Sequence, residues 1–137
     1  MCKKRIVWML VSGVVAVLLS GCSIPLLSNN STVTTRTAQV VSTETGIASY
    51  YGPKWHGRTT ANGEKMDVNA MTAAHKSLPF NTWVRVVLLS TGNSVVVRIN
   101  DRGPYVKGRI IDLADEAARQ LGLMEQGVGK VRIEVLD

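Results

Sequence analysis

Two β-branched runs, Thr82 to Leu89 and Asn93 to Asn100, are separated only by Ser90-Thr91-Gly92, and this pair limits the fold more than any other feature. A three-residue connection containing glycine suits a tight turn, so the runs predict an antiparallel hairpin. In the second run Val95, Val97 and Ile99 fall on one face, which predicts a half-buried strand with that face in the core. Val131, Ile133 and Val135 repeat the pattern near the C-terminus, alternating with Lys130, Arg132 and Glu134. One helix is expected around Ala114 to Leu121. Leu113, Ala117 and Leu121 line a stripe, Asp115 and Glu116 suit the positive N-terminal end, and Gly122 can end it. The fold class is therefore mainly β: several strands with one or two short helices form a small barrel.

The first residues belong to a different kind of segment. Lys3, Lys4 and Arg5 precede an apolar run of 14 residues, Ile6 to Leu19. A membrane-spanning helix needs roughly 20 residues, so this run fits the apolar part of a secretory signal instead. It ends in Leu19-Ser20-Gly21-Cys22, which resembles a bacterial lipobox with Cys22 as the lipidated residue. Ser23 after that cysteine is similar to the pattern that sends lipoproteins to the outer membrane. The expected organisation is 1–22 as signal and lipobox, 23–45 as a Ser/Thr-rich disordered tether, and 46–137 as the folded domain. A short strand near Val40 is allowed.

Cysteine and charge narrow the chemistry. The 2 cysteines are Cys2 and Cys22, so the domain has none for a disulfide or a thiolate metal site. No metal and no cofactor is expected, because His56 and His75 lack metal spacing and no phosphate-binding glycine loop is present. The 16 basic residues fall to 13 without Lys3, Lys4 and Arg5, against 10 acidic ones, so the remainder carries about +3. There is no basic run of the kind that follows nucleic acid, and a monomer is the default. A mildly cationic surface suits an anionic envelope polymer.

Polar residues gather at strand ends. Tyr50 and Tyr51 before Gly52 can offer a face to a sugar ring, or can divide between core and surface. Glu64 follows an Asn-Gly turn, either as a working acid or as an exposed loop carboxylate. His75 follows two alanines that leave room around its ring. Asp101 continues the inward parity of Val95, Val97 and Ile99, between Arg98 and Arg102, and reads as a general acid or as a structural ion pair. Asp112 precedes the helix, where it reads as a cap beside the groove.

Taken in order, GIASYYG, HGRTTANGE, MTAAHKSLPF, SVVVRINDRGPY and GRIIDL resemble the RlpA (rare lipoprotein A) family, from about Gly46 to the C-terminus. The resemblance implies a six-stranded double-psi β-barrel, shared with expansin N-terminal domains, barwin and the MltA catalytic barrel. It also implies a lytic transglycosylase that cleaves peptidoglycan glycan strands, preferring strands without stem peptides, from a lipid anchor on the outer membrane. Position by position, the family's functional groups fall on Asp101, Glu64 and His75. Tyr50, Tyr51, Arg102 and Asp112 are expected to bind substrate. The chain stops at Asp137 after the last strand, which implies a member without the SPOR domain. The alternative is an expansin-like module that holds glycan without cutting it, or a structural link between membrane and wall.

Overall fold

A computed structural model describes residues 37–137. The expected signal, Cys22 and the expected tether as far as residue 36 lie outside the described residues. The order of elements is β1 (Val40–Tyr50), a short 3-10 turn (Pro53–Trp55), β2 (Thr72–His75), β3 (Trp83–Leu88), β4 (Ser94–Asp101), β5 (Arg109–Leu113), α1 (Asp115–Leu121) and β6 (Gly129–Leu136). The six strands close into a barrel in the order β1-β5-β2-β4-β3-β6. Pairs β1/β5 and β2/β4 are parallel, and the other four are antiparallel. Closure leaves no free sheet edge to attract a second chain.

The expected hairpin is β3–β4, with Val86 opposite Val95 and Val84 opposite Val97. Val97 and Ile99 are fully buried, Val95 almost so, and Val131 and Ile133 join them from β6. Each such side chain contributes roughly 1.5–3 kcal/mol relative to its exposed state. The helix plugs one opening: Ala117, Ala118 and Leu121 are buried against Leu113 and Leu123. Gly122 ends it in the left-handed region at φ 86°, and its N–H returns to the carbonyls of Ala118 and Arg119. A side chain at that φ would be strained, so glycine there is a backbone requirement.

Two places differ from the sequence reading. Strand β1 begins at Val40 and pairs with β6 from Val40 opposite Leu136, so Val40–Thr45 belong to the barrel wall and not to the linking segment. Their side chains are all exposed, which is why no apolar alternation marks them. Asp112 does not cap the helix. It lies inside β5, the N-cap position is Ala114, and no side chain caps that end. A carboxylate must stand at the N-cap position itself to reach the free N–H groups of the first turn, and Asp112 is two residues too early.

Candidate active site

The strand register builds the floor of a groove. Ser49 of β1 pairs with Asp112 of β5, Asp112 pairs with Ala74 of β2, and Ala74 pairs with Asp101 of β4. One row of residues thus crosses four neighbouring strands and sets both aspartates on either side of an alanine. With strands about 4.8 Å apart, their Cα atoms are two spacings from each other, about 10 Å. Register shifts at Ile47/Ala48 and Ala73/Ala74 lie just before this row. Such bulges re-aim the residues that follow them. The groove above holds about 470 Å³ and is lined by Tyr50, Tyr51, Lys54, Trp55, Arg102, Tyr105 and Arg109 together with the row itself.

Asp101 is the best-held group on that floor. Its Oδ2 accepts from the Tyr51 hydroxyl at 2.7 Å, and its Oδ1 accepts from the backbone N–H groups of Ala61 and Arg102, both at 2.8 Å. Burial, followed by the hydrogen bond to Asp101, pushes the Tyr51 phenol far above its ordinary range. Tyr51 is thereby fixed as a donor. Its ring also meets the edge of Trp55 at 6.0 Å between centroids, and Arg58 covers that indole at 4.9 Å. Tyr50 lines the groove while packing partly on the core.

Asp112 faces the groove and is ion-paired to Arg109 of its own strand. Arg102 lies over the Phe80 ring at 3.9 Å and donates through Nη1 to the His75 carbonyl at 3.2 Å.

Glu64 and His75 stand apart from this floor. Glu64 forms a fork with Arg98, at 2.7 and 2.8 Å, and also accepts from Asn62 and Asn100. The Arg98 hydrogen bonds, then those of Asn100 and Asn62, hold its carboxyl down at about 2. This fork pins the 56–66 loop against β4, and the same loop supplies the Ala61 N–H to Asp101. His75 is 4% exposed and does not line the groove. Its Nδ1 accepts from the N–H groups of Ser77 and Leu78, and its Nε2 meets Glu44 at 3.0 Å. Among the described residues no cluster of His, Cys, Asp or Glu has the makings of a metal site.

Several groove residues escaped the sequence reading. Trp55 and Tyr105 are exposed aromatics outside the strands, 38% and 81% exposed, each one or two residues after a Gly-Pro pair. Two exposed aromatics next to turn dipeptides are a signal of their own. Arg109 and Lys54 had no such marker. Asn100 is buried although it breaks the alternation of β4, because the 56–66 loop covers it and Asn62 N–H reaches its carbonyl.

Comparison with known proteins places this geometry. The family described as lytic transglycolase matches residues 43–133. The endolytic peptidoglycan transglycosylase RlpA of Pseudomonas aeruginosa is 53% identical over 92 residues, covering 67% of this chain and 27% of that protein. The protein of the same name from Campylobacter jejuni is 47% identical over 112 residues, covering 82% of this chain and 41% of that one. The chain thus spans about a quarter to two fifths of the length of these relatives. Among solved structures, a Streptomyces papain inhibitor matches with a TM-score of 0.57 at 20% identity, over 73% of this chain and 99% of that one. The expansin of Clavibacter michiganensis matches at 0.56 and 23% identity, over 70% of this chain and 51% of that one. These two likenesses speak for the fold alone. The mixed, closed six-stranded barrel is the double-psi β-barrel, and the chain belongs to the RlpA family.

Proposed function

We propose that the groove binds peptidoglycan glycan strands and cleaves them as a lytic transglycosylase. The observation that carries this reading is the placement of Asp101: a carboxylate on the floor of an open groove, held through both oxygens by three donors and flanked by exposed aromatic rings. Tyr51, Trp55 and Tyr105 offer faces or edges to sugar rings, and Arg102 and Lys54 offer donors to their oxygens.

The reaction needs a single acid/base group. Asp101 gives a proton to the glycosidic oxygen as the bond to the muramic C1 breaks. It then takes the proton of the same sugar's C6 hydroxyl, whose oxygen closes onto C1 to give the anhydro product. Water takes no part, so the two carboxylates of an inverting hydrolase are not required. Asp112, neutralised by Arg109, positions substrate. Glu64, forked to Arg98 and outside the groove lining, instead supports the loop that carries the Ala61 N–H.

By its family resemblance, the groove takes strands without stem peptides. The domain is a monomer that reaches the wall from a lipid on Cys22 at the periplasmic face of the outer membrane, through a segment ending before Val40. It takes no cofactor and no nucleic acid.

The test is to incubate the domain with sacculi, with and without stem peptides, and to search for anhydro-muramic products by mass spectrometry. Products that vanish in a folded Asp101→Asn variant support the reading. Glycan binding by the wild type without products overturns it and leaves the expansin-like module.

A further inference from the structure

His75 is the buried titratable group that the proposed reaction leaves without a task. Both ring nitrogens are already engaged. Because Ser77 and Leu78 both donate to Nδ1, at 3.2 and 3.1 Å, that nitrogen carries no proton. The proton is on Nε2 and points at Glu44 Oε2, 3.0 Å away. The carboxylate of Glu44 fixes the tautomer, leaving Nδ1 as the acceptor on which the following loop folds. That loop ends in Phe80, whose ring lies under the Arg102 guanidinium at 3.9 Å. The His75 carbonyl accepts from Arg102 Nη1 on the other side. Among the described residues Nε and Nη2 of Arg102 make no hydrogen bond, so they remain for a ligand in the groove.

We propose that His75 is a positioning residue that never touches substrate: its neutral ring folds the 76–80 loop, and that loop with the His75 carbonyl holds Arg102 beside Asp101. Glu44, from the exposed half of β1, is the second member of the device. This assignment rests on the reading of the Asp101 groove as the glycan site, but its geometry is testable without turnover.

Asparagine separates the two roles of the histidine. The Oδ1 of His75→Asn takes the place of Nδ1 and accepts the same two N–H groups, as in an Asx turn, but cannot carry out imidazole proton transfer. The expected result is that His75→Ala lowers the rate of anhydro product formation about 100-fold, the cost of a groove contact displaced by about 1 Å. His75→Asn recovers most of that loss, and Glu44→Ala loses less than His75→Ala. An Asn variant that folds by circular dichroism yet is as inactive as Ala overturns the proposal. The second measurement needs no activity. In nitrogen-15 spectra of the wild type, the His75 ring shows its proton on Nε2. The Ser77 and Leu78 amides and the Arg102 side chain are ordered in wild type and His75→Asn, and lose that order in His75→Ala. A proton on Nδ1, or an Arg102 unaffected by His75→Ala, overturns it. If the wild type makes no product, the glycan-cleaving reading fails and these spectra still decide the role of His75.

Discussion

The hydroxyl of Tyr51 donates to Oδ2 of Asp101 at 2.7 Å, across 50 residues of sequence. The bond ties the end of β1 to the end of β4, two strands that are not neighbours in the barrel. It also leaves Asp101 with a fixed direction toward the groove, since Ala61 and Arg102 hold the other oxygen. Tyr51→Phe keeps the ring and its contact with Trp55 while deleting this donor. A hydrogen bond to a charged group contributes about 1.5–3 kcal/mol, so kcat is expected to fall roughly tenfold to a hundredfold with KM little changed. Steady-state kinetics on glycan without stem peptides would show it. An unchanged kcat would remove Tyr51 from the site.

The fork between Glu64 and Arg98 is one contributor to stability in acid. The Glu64 carboxyl is lowered from 4.5 to about 2, so its contribution is complete above about 4.5 and is lost as pH falls toward about 2. Glu64→Gln removes that contribution, leaving a shallower loss over the same window. Urea unfolding of both proteins at several pH values across it would test the difference. Equal slopes would mean that the fork adds nothing to stability.

Trp55 is held between Tyr51 and Arg58 with its remaining surface open to the groove. Trp55→Ala is expected to weaken glycan binding by about 1 kcal/mol, roughly fivefold, while leaving the melting temperature nearly unchanged. Calorimetric titration with glycan oligomers measures the first and a thermal scan the second.

Gly129 opens β6 where the wall meets two core leucines. A Cβ there would stand 2.7 Å from Leu123 Cδ1 and 2.8 Å from Leu88 Cδ1, and both leucines are buried. Both would have to shift within the packed core, so Gly129→Ala is expected to destabilise the domain by about 1–3 kcal/mol. Chemical denaturation would show a lower midpoint with an unchanged slope.

A domain cut to begin at Gly46 loses the rungs that join Val40–Thr45 to β6, together with the Glu44 partner of His75. It is expected to unfold at a lower temperature than one that begins at residue 37. Equal melting temperatures would show that this part of β1 only decorates the barrel.

The sequence spoke most clearly where burial imposes a period. Val95, Val97 and Ile99 announced β4, Val131 and Ile133 announced β6, and the Leu113-Ala117-Leu121 stripe with Gly122 announced the helix and its end. Strand β2 is buried throughout, so Thr72–His75 shows no alternation to read. The outer half of β1 is exposed throughout and is equally silent. Parity alone did not set Asp101: the register shift between Ala73 and Ala74 pairs it with Ala74 in the row that floors the groove. The partners of Glu64 and His75 were not legible, because they come from closure of the barrel: Arg98 lies 34 positions from Glu64, and Glu44 lies 31 from His75. Trp55 and Tyr105 fall in loops, where no periodicity operates.

The chain enters the barrel beside the place where it leaves, the N–H of Asp137 meeting the carbonyl of Gln39 at 3.0 Å. From there β1 runs 11 residues to Tyr50 at the groove, roughly 33 Å along a single strand. A pull applied at Gln39 and resisted by a polymer in the groove therefore acts along the length of β1. Its backbone bonds to β5 and β6 lie across that line and share the load together, as in a lap joint, instead of opening one after another. Loaded in that direction, β1 is sheared against its neighbours instead of being peeled from them.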